Sequence, residues 1–204
     1  MRHYLMELIG TFFLTLAVSI TGNPIAVGLM YMAMYYVGEG VSGGYYNPAL
    51  AVAAWFRGVL KMEDALVYIA VQSIGAFFGV WLFKALTNNV FMPDVMADLG
   101  MGMAILIELL LTAVLALVAL TVATSKEYKG SVVNGAVIGL TLSAVLFVGS
   151  GIVNPAIAIG SYLGQLVSEG GALPRELLFV YIAAPLVGGA VAAFGYDFLH
   201  NTKR

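Results

Sequence analysis

Ser42-Gly-Gly-Tyr-Tyr-Asn-Pro-Ala49 and Gly151-Ile-Val-Asn-Pro-Ala156 are two versions of one signal, a glycine-bearing loop that runs into Asn-Pro-Ala. An Asn side chain can accept a hydrogen bond from a free N–H of a helix's first turn. A Pro at the next position has its φ preset and lacks an N–H that would go unpaired there anyway, so each copy opens a helix. The apolar stretches that follow, 47–56 and 154–167, are too short to cross a bilayer, which takes roughly 20 apolar residues. Around them the chain is 61% hydrophobic and 10% charged, with a mean hydropathy of +0.97. Two helix starts at matching places in two halves of such a chain predict half-helices that meet near the middle of a membrane. The product of that geometry is a pore.

Outward from the two motifs, full spans are expected at about 4–21, 25–38, 63–85, 100–124, 130–148 and 176–198. The loops 39–46 and 149–153 then lie at membrane depth, where irregular backbone is tolerated only inside protein or beside water. Glycines at 40, 43, 44, 149 and 151 permit tight turns in them. The carbonyls of Gly43, Gly44, Tyr45, Ser150 and Ile152 are candidate pore-lining acceptors. Glu7-Leu-Ile-Gly-Thr11 in the first span is answered by Glu108-Leu-Leu-Leu-Thr112 in the fourth. Three spans per half make the halves, roughly 1–99 and 100–204, an inverted repeat within one channel domain. The expected fold class is an all-α membrane protein with six transmembrane helices and two re-entrant half-helices.

Charge sets the topology and excludes other classes. If the N-terminus is cytoplasmic, Arg2, Arg57, Lys61, Lys126, Lys129, Lys203 and Arg204 all fall inside, and only Lys84 and Arg175 outside. This bias places both termini in the cytoplasm, and the plasma membrane is the expected location. Asp94 and Asp98 suit the exterior loop. Glu7 breaks the first apolar run and no convincing cleavage site follows, so a retained span is expected there rather than a signal peptide. A net charge of −2 offers no footing for nucleic acid. With no cysteine and with His3 and His200 near opposite ends, no metal or other cofactor is expected. No nucleophile–base pair or phosphate loop points to an enzyme.

The carboxylates of Glu7 and Glu108 sit in apolar spans, where insertion scales charge about 2.5–3.5 kcal/mol for an acidic residue at a helix centre. They could relay protons or coordinate a cation, or they could accept hydrogen bonds from the N–H groups of the neighbouring loops. One copy per loop favours the structural role. Glu39 has no counterpart in the second half and is expected to be solvated, near the inner mouth. Met30, Met32 and Met34 read as packing residues, and Trp55 and Trp81 as interface residues. Asn23-Pro24 is a turn before the second span, without the Ala or the glycine loop of the motif. Arg57 and Lys61 read as topology determinants.

Taken together, these segments resemble the major intrinsic proteins, the aquaporins and glycerol facilitators, over essentially the whole chain and in the right order. The resemblance implies a pore in each protomer, usually of a homotetramer. It further implies that Asn47, Pro48, Ala49, Asn154, Pro155 and Ala156 form its centre. Two helix N-termini facing one point oppose cations and protons, and each Asn amide can donate to a passing oxygen. The family usually carries an Arg three residues after the second Asn; here that residue is Ile157. Ungapped counting back from each Asn puts Val27, Leu142 and Gly151 at the other filter positions, giving a constriction without an ionisable side chain. Loss of that Arg removes a fixed cation and several donors, which penalises strongly hydrated solutes.

The expected activity is therefore passive conduction of water or other small uncharged solutes, such as ammonia, carbon dioxide, glycerol or urea. The expected partners are these solutes and membrane lipid. A secondary carrier with broken helices and a junction or scaffold protein with a vestigial pore are the alternatives.

Overall fold

The computed structural model describes residues 1–93, 100–149, 151–170 and 178–200. Ser150 lies outside them. So do Asp94, Asp98, Arg175, the first residues of the span expected at 176–198, and Lys203 and Arg204. The described residues form eight α-helices in the order α1 Arg2–Thr21, α2 Pro24–Ser42, α3 Pro48–Phe56, α4 Met62–Thr87, α5 Gly100–Thr124, α6 Asn134–Gly149, α7 Pro155–Glu169 and α8 Ala184–His200. One π-helical turn, Phe179–Ala183, leads into α8. Pro185 stands just after that turn; it cannot donate a backbone hydrogen bond, and the wider turn accommodates its ring.

Among the described residues four helices meet the length and hydropathy needed to cross a membrane: α1, α4, α5 and the run Phe179–His200. Among the remaining spans, α6 is a shorter apolar helix and α2 has 19 residues. Two expected boundaries move. The second span does not end at residue 38 but continues as helix through Ser42, because Gly43 is the first residue in the left-handed region (φ 94°), and its N–H closes on the Glu39 carbonyl. Glu39 is thus an exposed residue in the last turn of α2 rather than a loop residue, and Gly40 is helical as well. The fifth span begins at Asn134 rather than 130, after a turn in which Gly130 has φ 75°. The Asn23-Pro24 turn caps α2, with Asn23 Oδ1 accepting from the Ile25 and Ala26 N–H groups at 2.9 and 3.3 Å.

The packing repeats between halves. Helix α1 packs on α2 and α4, and α5 packs in the same way on α6 and α8. Each half-helix leans on the last span of the other half, α3 on α8 and α7 on α4, while α2 and α6 cross each other. Glycines set these close approaches, as expected where helices associate by close backbone contact rather than by escape from water. At the α2–α6 crossing, a Cβ on Gly28 would run into the Gly139 carbonyl oxygen, and one on Gly139 into that of Gly28. Gly189 faces the Ala49 backbone and Gly160 the Ala76 backbone, which brings the half-helices onto their partner spans. Large apolar side chains such as Phe78, Trp81, Leu110 and Phe194 remain exposed on the outside of the bundle. This distribution is that of an integral membrane protein whose solvent is lipid.

Candidate pore

Each half-helix begins as its tripeptide requires. Asn47 has extended backbone and its Oδ1 accepts from the Ala49 N–H at 2.9 Å; Asn154 does the same for Ala156 at 3.1 Å. The other end of each amide reaches across the repeat. Asn47 Nδ2 donates to the Val153 carbonyl at 2.8 Å, and Asn154 Nδ2 donates to the Tyr46 carbonyl at 3.0 Å. Each motif therefore grips the residue that precedes the other. To present those carbonyls, Tyr46 and Val153 take φ of 50° and 47°, a conformation that costs a residue with a Cβ about 1–3 kcal/mol. Both residues are fully buried, and the crossed bonds help to hold them there. An amide carries two N–H bonds, so the second donor of each Asn remains for the cavity that both residues line.

The loops ahead of the motifs rest on the buried carboxylates. Glu7 Oε1 accepts from the Ser42 hydroxyl at 2.6 Å and the Tyr45 N–H at 3.0 Å. Its Oε2 accepts from the Tyr46 N–H at 2.6 Å and from Gln72 Nε2 at 2.7 Å. Glu108 accepts from the Ile152 and Val153 N–H groups, each at 2.9 Å. The two carboxylates play the same part, and among the described residues only Glu7 also receives side-chain donors. Gly151 is needed for this contact, because a Cβ there would collide with Glu108 Oε1. In the first loop Gly43 and Gly44 both have positive φ.

A cavity of about 340 Å³ lies between the helices, and its wall includes Asn47, Asn154, Val27, Leu142, Gly151 and Ile157. Both asparagines and all four counted filter positions thus border one space, which extends to Gly22 and Pro24 at one end of the bundle. Ile152 lines it as well, whereas Ile159 is absent from its wall. A second cavity, of only about 30 Å³, lies toward the opposite end, beside Val59 and Thr124. Gly43, Gly44 and Tyr45 line this smaller space. Tyr31 belongs to both walls. Sequence reading passed over it, although it follows Val27 by one helical turn on the same face of α2.

Arg57 also has more than a topological part. Its Nε lies 3.4 Å from Asp197 Oδ1 and its guanidinium lies over the Tyr196 ring at 4.8 Å, fastening the end of α3 to α8. Met32 packs at the α2–α6 crossing, and the Met34 carbonyl accepts from the Tyr46 hydroxyl at 2.8 Å. Among the described residues no group of three or more His, Cys, Asp or Glu side chains could hold a metal ion.

Comparison with known proteins converges on the same architecture. The family model for the major intrinsic protein matches residues 1–196. A glycerol uptake facilitator protein-like 6 of Lactiplantibacillus plantarum is 33% identical, covering 95% of this chain and 96% of the relative. A probable aquaporin AqpM of Archaeoglobus fulgidus is 31% identical over 87% of this chain and 77% of its own length. The solved aquaglyceroporin of Plasmodium falciparum superposes with a TM-score of 0.83 at 22% identity, covering 96% of this chain and 95% of the other, a likeness of fold. With residues 1–196 matched, its half-helices paired and its loops braced, this chain belongs to the major intrinsic protein family.

Proposed function

We propose that this protein is a passive membrane channel whose path runs along the two cavities and past Asn47 and Asn154, carrying water and other small uncharged solutes. The observation that carries the reading is the crossed pair of amide bonds, which fixes two helix N-termini against one wall of the larger cavity. Each terminus contributes a partial positive charge, and the two together oppose a cation or a proton at that point. The remaining Asn N–H groups offer a passing oxygen two donors, turning its own hydrogens away from its neighbours and interrupting a proton wire. Glu7 and Glu108 act through the loops they hold. Val27, Leu142, Gly151 and Ile157 form an apolar filter that penalises strongly hydrated solutes more than weakly hydrated ones.

The charge bias supports cytoplasmic termini, which makes the Gly22–Pro24 end the outer mouth and the Val59–Thr124 end the inner one. The exposed apolar flanks support assembly into a homotetramer in the plasma membrane, with lipid against the rest. Residues 1–204 act as one channel domain of two repeats. Membership of the family gives no support to a carrier, a scaffold or an enzyme.

The test is a flux panel on purified protein in liposomes, comparing water, ammonia, carbon dioxide, urea and glycerol with a pH-sensitive dye for protons. Non-saturating flux of at least one neutral solute, with no proton current, is expected. Saturable uptake coupled to an ion gradient would replace the channel with a carrier.

A further inference from the structure

Resting on the channel reading, we propose that Tyr31 is a further specificity-determining residue of the path, the one that limits solute size. On this view it forms the narrowest segment on the cytoplasmic side of the asparagines and restricts passage to solutes the size of water or ammonia, excluding three-carbon polyols.

The two halves of the path are unequal. About 340 Å³ is open on the outer side and about 30 Å³ on the inner side, and a water molecule's share of the liquid is roughly 30 Å³. The inner space therefore takes one or two waters at a time, and Tyr31 stands where the large space gives way to the small one. Its side chain is held from two directions. The hydroxyl donates to the Gly44 carbonyl at 2.8 Å with the Tyr45 carbonyl 3.2 Å away, and the ring meets that of Tyr46 edge-on at 5.9 Å between centroids. It is 2% exposed. Close behind it, Tyr35 presses on the loop so tightly that a Cβ on Gly44 would lie 2.9 Å from its ring.

The hydroxyl also removes acceptors. Backbone carbonyls of the inner loop are the groups that could replace a permeant's lost hydration, and those of Gly44 and Tyr45 are both within reach of Tyr31. Much of the remaining wall is apolar, with Leu50, Ala53, Ala116, Leu120 and Ile138. The arrangement is one-sided. Ile138 precedes Asn154 by the same number of residues as Tyr31 precedes Asn47, and it has no hydroxyl to offer. Since the outer filter lacks its usual cation, a size limit at Tyr31 places discrimination on the other side of the asparagine pair.

The test compares wild type, Tyr31→Phe, Tyr31→Ala and Leu142→Ala in liposomes, reading water and glycerol permeability per inserted protein. Wild type should conduct water and leave glycerol at the rate of empty vesicles. Tyr31→Phe, which keeps the ring and frees the two carbonyls, should raise water permeability about threefold with glycerol still excluded. Tyr31→Ala should admit glycerol at about tenfold or more above wild type, and Leu142→Ala should do so to a smaller degree. If Tyr31→Ala assembles poorly, the water rate of Tyr31→Phe decides alone, and an unchanged rate there overturns the proposal. Ready glycerol passage by wild type also overturns it, as does a reversed order of the two Ala variants. A wild type that conducts nothing until Tyr31 is cut back supports the proposal in a stronger form. Inserted protein that conducts no solute in any variant overturns the channel reading along with it.

Discussion

Asn47 and Asn154 each hold two bonds with different jobs, and substitutions can separate them. Replacement by Ala removes a helix cap, costing about 0.5–2 kcal/mol, and leaves a buried carbonyl of Tyr46 or Val153 unpaired. Asn47→Asp or Asn154→Asp retains the cap oxygen but loses the cross-repeat donor and places a negative charge at the centre. The Ala variants should lower both the melting temperature in detergent and the solute flux. The Asp variants should melt higher than Ala and leak cations or protons, read with a pH dye in vesicles. Proton rejection unchanged in the Asp variants would detach the amides from selectivity.

At Glu7 and Glu108 the bond counts make a graded forecast. Among the described residues Glu7 accepts four hydrogen bonds and Glu108 two, and each buried donor left without a partner costs about 1–3 kcal/mol. Glu7→Ala should therefore destabilise more than Glu108→Ala, and each Gln variant, which keeps one acceptor oxygen, should be milder than its Ala partner. Thermal melts in detergent decide. Gln and Ala variants equally harmless to folding and equally fatal to flux would make the carboxylates proton carriers. Ile157→Arg places a cation and a fork of donors on the wall of the larger cavity, and should shift the water-to-ammonia ratio toward water more than Ile159→Arg does. An unchanged ratio with correct assembly would move the filter elsewhere.

The helices of this protein depend on where glycine is obligatory and where it is incidental. In α2, Gly28 abuts the Gly139 backbone, whereas nothing lies within 4 Å of a Cβ on Gly40. Gly28→Ala should cost about 1–3 kcal/mol of overpacking strain. Gly40→Ala, in the same helix, should be neutral or stabilising by up to about 1 kcal/mol through reduced chain entropy. Melting temperatures of the two variants test the contrast, and equal effects would mean that the α2–α6 crossing can relax. Hydropathy and spacing identified these helices but not their ends. The extra turn of α2 beyond residue 38 follows from a single positive-φ glycine, and three nearby glycines in the sequence compete for that part.

For the molecule as a whole, the absence of cysteine makes sidedness easy to read. Asn89 and Glu127 are exposed at opposite ends of the bundle. A membrane-impermeant maleimide added to intact cells should label Asn89→Cys, and should reach Glu127→Cys only after permeabilisation. The reverse pattern would invert the topology. Native mass spectrometry should find four copies of the chain, and a monomer that retains full flux would remove the tetramer from function.

Local chemistry alone determined much of this protein. Hydropathy specified the solvent and the Asn-Pro pairs specified where two helices begin, while the filter positions, which border one cavity, were placed through the family resemblance by ungapped counting from the asparagines. Rules of this kind act within a few residues of chain, so a sequence displays them. The crossed bonds from Asn47 to Val153 and from Asn154 to Tyr46 join positions more than a hundred residues apart. They exist only once the two halves have docked and two non-glycine residues have been forced to positive φ. Gln72 as a donor to Glu7, Arg57 as a fastener of α3 to α8, and Tyr31 between a large cavity and a small one are likewise matters of which helix faces meet. Cavity volume belongs to several helices at once, and no stretch of sequence contains it.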